Sequence, residues 1–140
     1  PVKPEEVPYE LPKGWEWVKI RDICHDWGQK IPVALFTYID VGAIDNKLGA
    51  ISSNTQLLDA SEAPSRARKI VKPGTVIYST VRPYLLNIAI VEKEYDPEPI
   101  ASTAFAILHP FASVSARFIY HYLRSPAFIR SDHLIPAILR

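Results

Sequence analysis

Arg66, Arg68, Lys69, Lys72 and Arg82 fall within residues 63–91, APSRARKIVKPGTVIYSTVRPYLLNIAIV, and no Asp or Glu stands among them. Cations grouped without counter-charges make a local positive field, which draws phosphate groups. The side chains around them extend that chemistry. Ser79 and Thr80 are neutral hydroxyl donors suited to phosphate oxygens, Arg82 adds a charge at an Arg-Pro bend, Tyr84 offers a ring face and Asn87 an amide. If the segment from Arg66 is extended, Arg66 and Arg68 share one face and Lys69 takes the other. Two guanidinium forks would then reach one phosphate or one guanine edge together, a contact that carries roughly 1–3 kcal/mol of discrimination between bases. Asn46, Lys47, Asn54 and Gln56 form a second polar group whose amides suit an adenine edge. Two residues have structural alternatives: an ion pair to the acidic segment 92–99 for Arg82, and core packing for Tyr84.

Catalytic chemistry finds less support. The chain has no G-x-S-x-G elbow, no phosphate loop of the G-x-x-x-x-G-K-[ST] type, no G-x-G-x-x-G fingerprint and no H-E-x-x-H pair. Asp40, Asp45 and Asp59 are irregularly spaced, and His109, His121 and His133 follow no zinc pattern. The reading is a protein without catalytic residues, metal or cofactor. The single cysteine, Cys24, excludes an internal disulfide and is read as core. With no signal peptide and no long apolar run, a cytoplasmic protein that does not engage a membrane is expected.

Net charge is only +1, but it is segregated: −4 over residues 1–62, +5 over 63–91, −3 over 92–99 and +3 over 100–140. A partner meets one face rather than the total, so segregation matters more than the sum.

These residues need a scaffold. A chain of 140 residues, 48% apolar and 22% charged, is a single domain by size and buries roughly two-thirds of its unfolded surface. Residues 1–12, with four prolines, read as an extended lead-in, and 13–140 as the domain. Strands are expected at 15–20, 35–41, 75–80, 86–91 and 104–108, with a helical turn over 21–25 and a polar loop from Gly42 to about Ala63. The Lys72-Pro73-Gly74 turn opens the strand at 75. From Ser115 the apolar spacing changes to that of a helix reaching Arg124, with Ser115 as its cap and Pro126 close to its end. Residues 127–140 carry no assignment.

Taken in order, LPKGWEWVKIRDI, YIDVGAID, APSRARKIVKPGTVIYSTVRPYLLNIAIV, ASTAFAILHP and ARFIYHYLRSPAFI resemble a target recognition domain of a type I restriction-modification specificity subunit, over residues 11–129. The resemblance implies an α+β fold, a twisted and mostly antiparallel β-sheet flanked by a few α-helices. It also implies a non-catalytic reader of one half of a bipartite duplex DNA target. DNA adenine methyltransferase subunits and restriction and translocation subunits would be its partners. Family members carry two such domains on a helical spacer. A single one here suggests a piece of a longer subunit, the first domain rather than the second, or a half-subunit that dimerises. By position, the family's basic segment falls on Arg66, Arg68, Lys69 and Arg82, and its Ala-Ser-Thr segment adds Ser102 and Thr103. The alternative from another class is a protein-interaction module docking through the helix 115–124 and the apolar C-terminal run.

Overall fold

The computed structural model describes residues 2–130 and 133–138, with the side chains of residues 129 and 130 left out. In chain order the strands are Trp15–Lys19 (β1), Cys24–His25 (β2), Phe36–Ile39 (β3), Ile44–Asp45 (β4), Ala50–Ile51 (β5), Gln56–Leu58 (β6), Ala67–Ile70 (β7), Val76–Ser79 (β8), Ile88–Ile90 (β9), Pro99–Ser102 (β10), Phe105–Pro110 (β11) and Leu134–Ile138 (β12). Helices Ala116–Leu123 (α1) and Pro126–Arg130 (α2) precede the last strand. The fold is α+β and rich in antiparallel pairs, as the sequence implies. The expected single sheet is divided into two four-stranded sheets, ordered β6-β3-β10-β7 and β2-β11-β8-β9, and two ribbons, β1-β12 and β4-β5. Only β3 and β10 run parallel among the described pairs.

Alternation along β8 explains how the layers hold together. Val76 joins Ile88, Ile119 and Leu123 in a core beneath α1, while Ile77 turns to the opposite side and joins Ala89, Phe105, Ile39 and Ala101 between the sheets. With β8 and β9 covered on both faces, their apolar runs are continuous. Each fully buried aliphatic or Phe side chain contributes roughly 1.5–3 kcal/mol. A third cluster of Phe36, Tyr38, Ala67 and Ile100 covers the outer face of the first sheet.

Ser115 caps α1 by accepting from the Phe118 amide at 3.2 Å, a contact worth about 1 kcal/mol. Tyr122 and Leu123 lie in the core with Ile119, so most of the apolar face of α1 is spent on the domain itself, with Phe118 left exposed. Three local expectations differ from the outcome. Residues 20–22 form a 3-10 turn rather than a turn over 21–25, because Cys24 and His25 are drawn into pairing with Pro110 and His109. The expected polar loop contains β4, β5 and β6, strands of two or three residues, β4 and β5 held by each other and β6 by β3. Such short strands leave no period for a sequence to show. The unassigned tail supplies α2 and β12, and β12 closes the ribbon with Ile138 opposite Trp15. Pro136 fits there because a two-stranded ribbon has free edges. Residues 131, 132, 139 and 140 lie outside the described residues. In the lead-in, Trp17 Nε1 donates to the Tyr9 carbonyl at 2.9 Å and the two rings meet edge to face.

Candidate nucleic-acid interface

Strand direction gathers the polar residues. Because β3 and β10 are parallel and their outer neighbours β6 and β7 run against them, one end of the first sheet collects Gln56, Asp40, Ser102, Thr103 and Arg66. The chain then crosses to the second sheet through Thr103 and Ala104. Here the Thr103 amide donates to the Arg66 carbonyl at 2.9 Å, and the Thr80 amide donates to the Ala104 carbonyl at 3.0 Å. The same edge therefore continues through Thr80 into the loop that joins β8 to β9 and carries Arg82 and Tyr84. Acidic residues 92–98 join β9 to β10 at the opposite end of the strands. Among the described residues their ion pairs go to Lys30, at 2.8 Å from Glu98, and to Arg117 from Glu92. The ion pair weighed for Arg82 is therefore not formed with them.

The sequence-chosen residues divide by what their side chains already hold. Arg66 is exposed in the turn before β7, with Nη2 3.8 Å from Asp40 Oδ2. It precedes the strand, so the expected alternation with Arg68 does not govern it. Arg68 folds back, with Nη1 donating to the Ala67 carbonyl at 2.9 Å. Lys69 Nζ donates to the Phe105 carbonyl at 2.6 Å, linking β7 to β11. Ser79 and Ser102 are buried: the Ser79 hydroxyl donates to the Val81 carbonyl, and that of Ser102 accepts from the Ala104 amide. Asn87 is buried too, and its carbonyl accepts from the Ser79 amide at 3.0 Å. Thr80 and Thr103 are exposed, with the Thr80 hydroxyl donating to the Ala104 carbonyl at 3.1 Å. Tyr84 is 68% exposed, which removes the core-packing alternative. Lys72 stands at the far end, 4.3 Å from the Trp27 ring centroid.

The β8–β9 loop is held in an unusual conformation. Arg82 and Leu86 both have positive φ, 49° and 56°, without being glycine. Each costs on the order of 1–3 kcal/mol and persists only where the surroundings impose it. Arg124 Nη1 supplies one restraint, reaching the Leu86 carbonyl at 3.4 Å. The result presents Val81, Arg82, Tyr84 and Leu85 outward together.

Asn54 and Gln56 belong to the second polar group expected from the sequence, and Asp40 joins them in the fold. A pocket of about 220 Å³ beside Arg66 is lined by Tyr38, Asp40, Gly42, Ala43, Asn54 and Gln56. Burial holds the Tyr38 phenol above its ordinary pKa, an effect opposed in part by Ser102, yet no hydrogen bond of ordinary geometry closes on its oxygen. The signal available in the sequence was the amide pair Asn54 and Gln56; nothing in it placed Asp40 beside them. A second groove, of about 830 Å³ between the lead-in and β1, shares no lining residue with this pocket.

Strand ends and short loops of the two-sheet scaffold thus carry exposed arginine, hydroxyl and amide groups along one edge. No family model matches the chain, and no curated protein does. Solved structures do. The HsdS subunit from Thermoanaerobacter tengcongensis superposes with a TM-score of 0.82 at 32% identity, over 96% of this chain and 40% of that one. A chain from a structure of a type I restriction-modification system, described for its complex assembly and conformational transition, superposes with a TM-score of 0.80 at 32% identity, over 92% and 39%. The chain therefore has the fold of a single target recognition domain of an HsdS specificity subunit. It spans about 40% of the length of the solved chains it matches.

Proposed function

We propose that this domain reads one half of a bipartite duplex DNA target for a type I restriction-modification complex and performs no chemistry itself. The carrying observation is the continuous end edge from Gln56 through Asp40, Thr103 and Arg66 to Thr80, Arg82 and Tyr84. Exposed Arg66 and Arg82 supply the salt-dependent phosphate attraction. Thr80, Thr103 and Tyr84 supply positioning contacts, and the loops beside them read bases. Lys69, Ser79, Asn87 and Ser102 support that edge from within, and Arg68 lends charge from the flank.

Methyltransferase and restriction subunits are the assembly partners in this reading, and the cytoplasm is its place of action. No described helix is long and apolar enough to cross a membrane. The docking alternative loses Tyr122 and Leu123 as contact residues, since both are core residues. Replacing either by alanine is expected to destabilise the domain, by about 2–5 kcal/mol for Leu123.

The test compares the two ends of the strands. Duplex DNA affinity of the double variant Arg66→Ala, Arg82→Ala is expected to fall at least tenfold at low salt, while Lys72→Ala stays within twofold of the parent. Equal losses for both variants would overturn the assignment of the edge.

A further inference from the structure

The geometry points to Asp40, with Gln56 and Asn54, as the group that selects a base pair by its exocyclic amino group, adenine N6 or cytosine N4. This rests on the DNA-reading function proposed above and names the residues that decide its specificity.

A carboxylate at a DNA-binding edge repels phosphate, so the DNA group that suits it is a hydrogen-bond donor. The Asp40 carboxylate offers acceptor oxygens to a partner. One oxygen, Oδ1, is already engaged by the Val41 amide at 2.8 Å, which caps the turn after β3. The other, Oδ2, lies 3.8 Å from Arg66 Nη2, close enough to be neutralised and too far to be saturated. Asp40 lines the pocket, and its side chain is 37% exposed. Amino groups are the donors DNA bases present in the major groove, and only adenine and cytosine carry them there.

The neighbouring side chains fit the same ligand. Gln56 starts β6 directly opposite Tyr38, and Asn54 follows a turn in which Ser52 Oγ donates to the Ala43 carbonyl at 2.9 Å and accepts from the Asn54 amide at 3.1 Å. Backbone positions on both sides of the pocket are thus fixed. The side-chain amides of Asn54 and Gln56 are exposed and unengaged among the described residues. An added Cβ at Gly42 would meet no atom within 4 Å, so the approach over the turn is open to a base edge.

The experiment selects bound sequences from random duplex DNA with the chain, with Asp40→Asn and with Gln56→Ala. Asn retains a capping oxygen and adds an N–H donor, so Asp40→Asn leaves the fold intact while reversing the chemistry offered to the base. The parent is expected to enrich a motif with adenine or cytosine at one position, and Asp40→Asn to relax that position by roughly 5- to 150-fold, the range one good base contact carries. Replacing the selected base by its analogue lacking only the amino group, purine for adenine or pyrimidin-2-one for cytosine, is expected to weaken the parent similarly and Asp40→Asn little further. The analogue that acts identifies the base. An unchanged motif in both variants overturns this inference and leaves the DNA-reading function standing. No motif with the parent chain overturns both.

Discussion

The Tyr120 hydroxyl donates a 2.7 Å hydrogen bond to the carbonyl of Gly49, tying α1 to the β4–β5 hairpin. One turn further along, Arg124 reaches the Asn46 carbonyl at 3.3 Å and the Leu86 carbonyl at 3.4 Å. The helix thus buttresses two loops that flank the edge proposed to read DNA. Tyr120→Phe is expected to cost about 1–3 kcal/mol, since it leaves a buried carbonyl without its donor. Gly49→Ala is expected to cost at least as much, because φ is +66° there and a Cβ would stand 2.1 Å from the Tyr120 oxygen. Urea unfolding monitored by tryptophan fluorescence measures both.

Arg66 and Arg82 are exposed and near the same edge, so each replacement by alanine is expected to reduce the salt slope of DNA binding by about 0.9. Binding titrations across a salt series give the slope directly. A slope unchanged in either single variant would remove that residue from the phosphate contacts.

Lys69 makes a different prediction. Its ammonium holds the Phe105 carbonyl at 2.6 Å between β7 and β11. Lys69→Met preserves most of the stem and removes the donor, so it is expected to destabilise the fold by about 1.5–3 kcal/mol. The DNA salt slope of the folded variant should change little.

A pH dependence comes from the far end of the strands. The Thr75 hydroxyl accepts from Trp27 Nε1 at 3.0 Å and lies 2.9 Å from His109 Nδ1, an arrangement that leaves its own hydrogen for a neutral imidazole. Burial first, then the charges of His25 and Lys72, lower the His109 pKa below its ordinary value. The folded protein binds that proton less tightly than the unfolded chain. The contribution is therefore complete above the ordinary imidazole pKa of about 6.5 and is lost as pH falls through the depressed folded value. Melting temperature is expected to drop between pH 7.5 and pH 5, and His109→Gln is expected to flatten that drop. An identical profile in the variant would contradict the assignment.

Much of the scaffold was legible because its signals are local. Residues 35–41, 75–80 and 86–91 each contain the strand expected there, the strand expected at 104–108 starts at Phe105 and runs on to Pro110, and Ser115 caps the helix that follows it. What escaped was set by pairing across the chain. β6 exists because Leu58 lies opposite Phe36, and β12 because Ile138 lies opposite Trp15; neither leaves a repeating pattern in its own segment. The candidate site divides in the same way. Exposed Arg66, Thr80, Arg82, Tyr84 and Thr103 come together on one edge, whereas the commitment of Lys69 to Phe105 joins strands of different sheets, and that of Ser102 to the Ala104 amide is a local turn contact. Asp40 beside Asn54 and Gln56 is likewise a product of strand order, which residue types alone do not disclose.

The most direct test of the central claim is selection of this chain against a pool of random duplex DNA across a salt series, with sequencing of the bound fraction. A half-site reader is expected to enrich one short motif, of about three to five base pairs, and to lose affinity steeply with salt. Salt-sensitive binding without an enriched motif, or no binding at low salt, would contradict it.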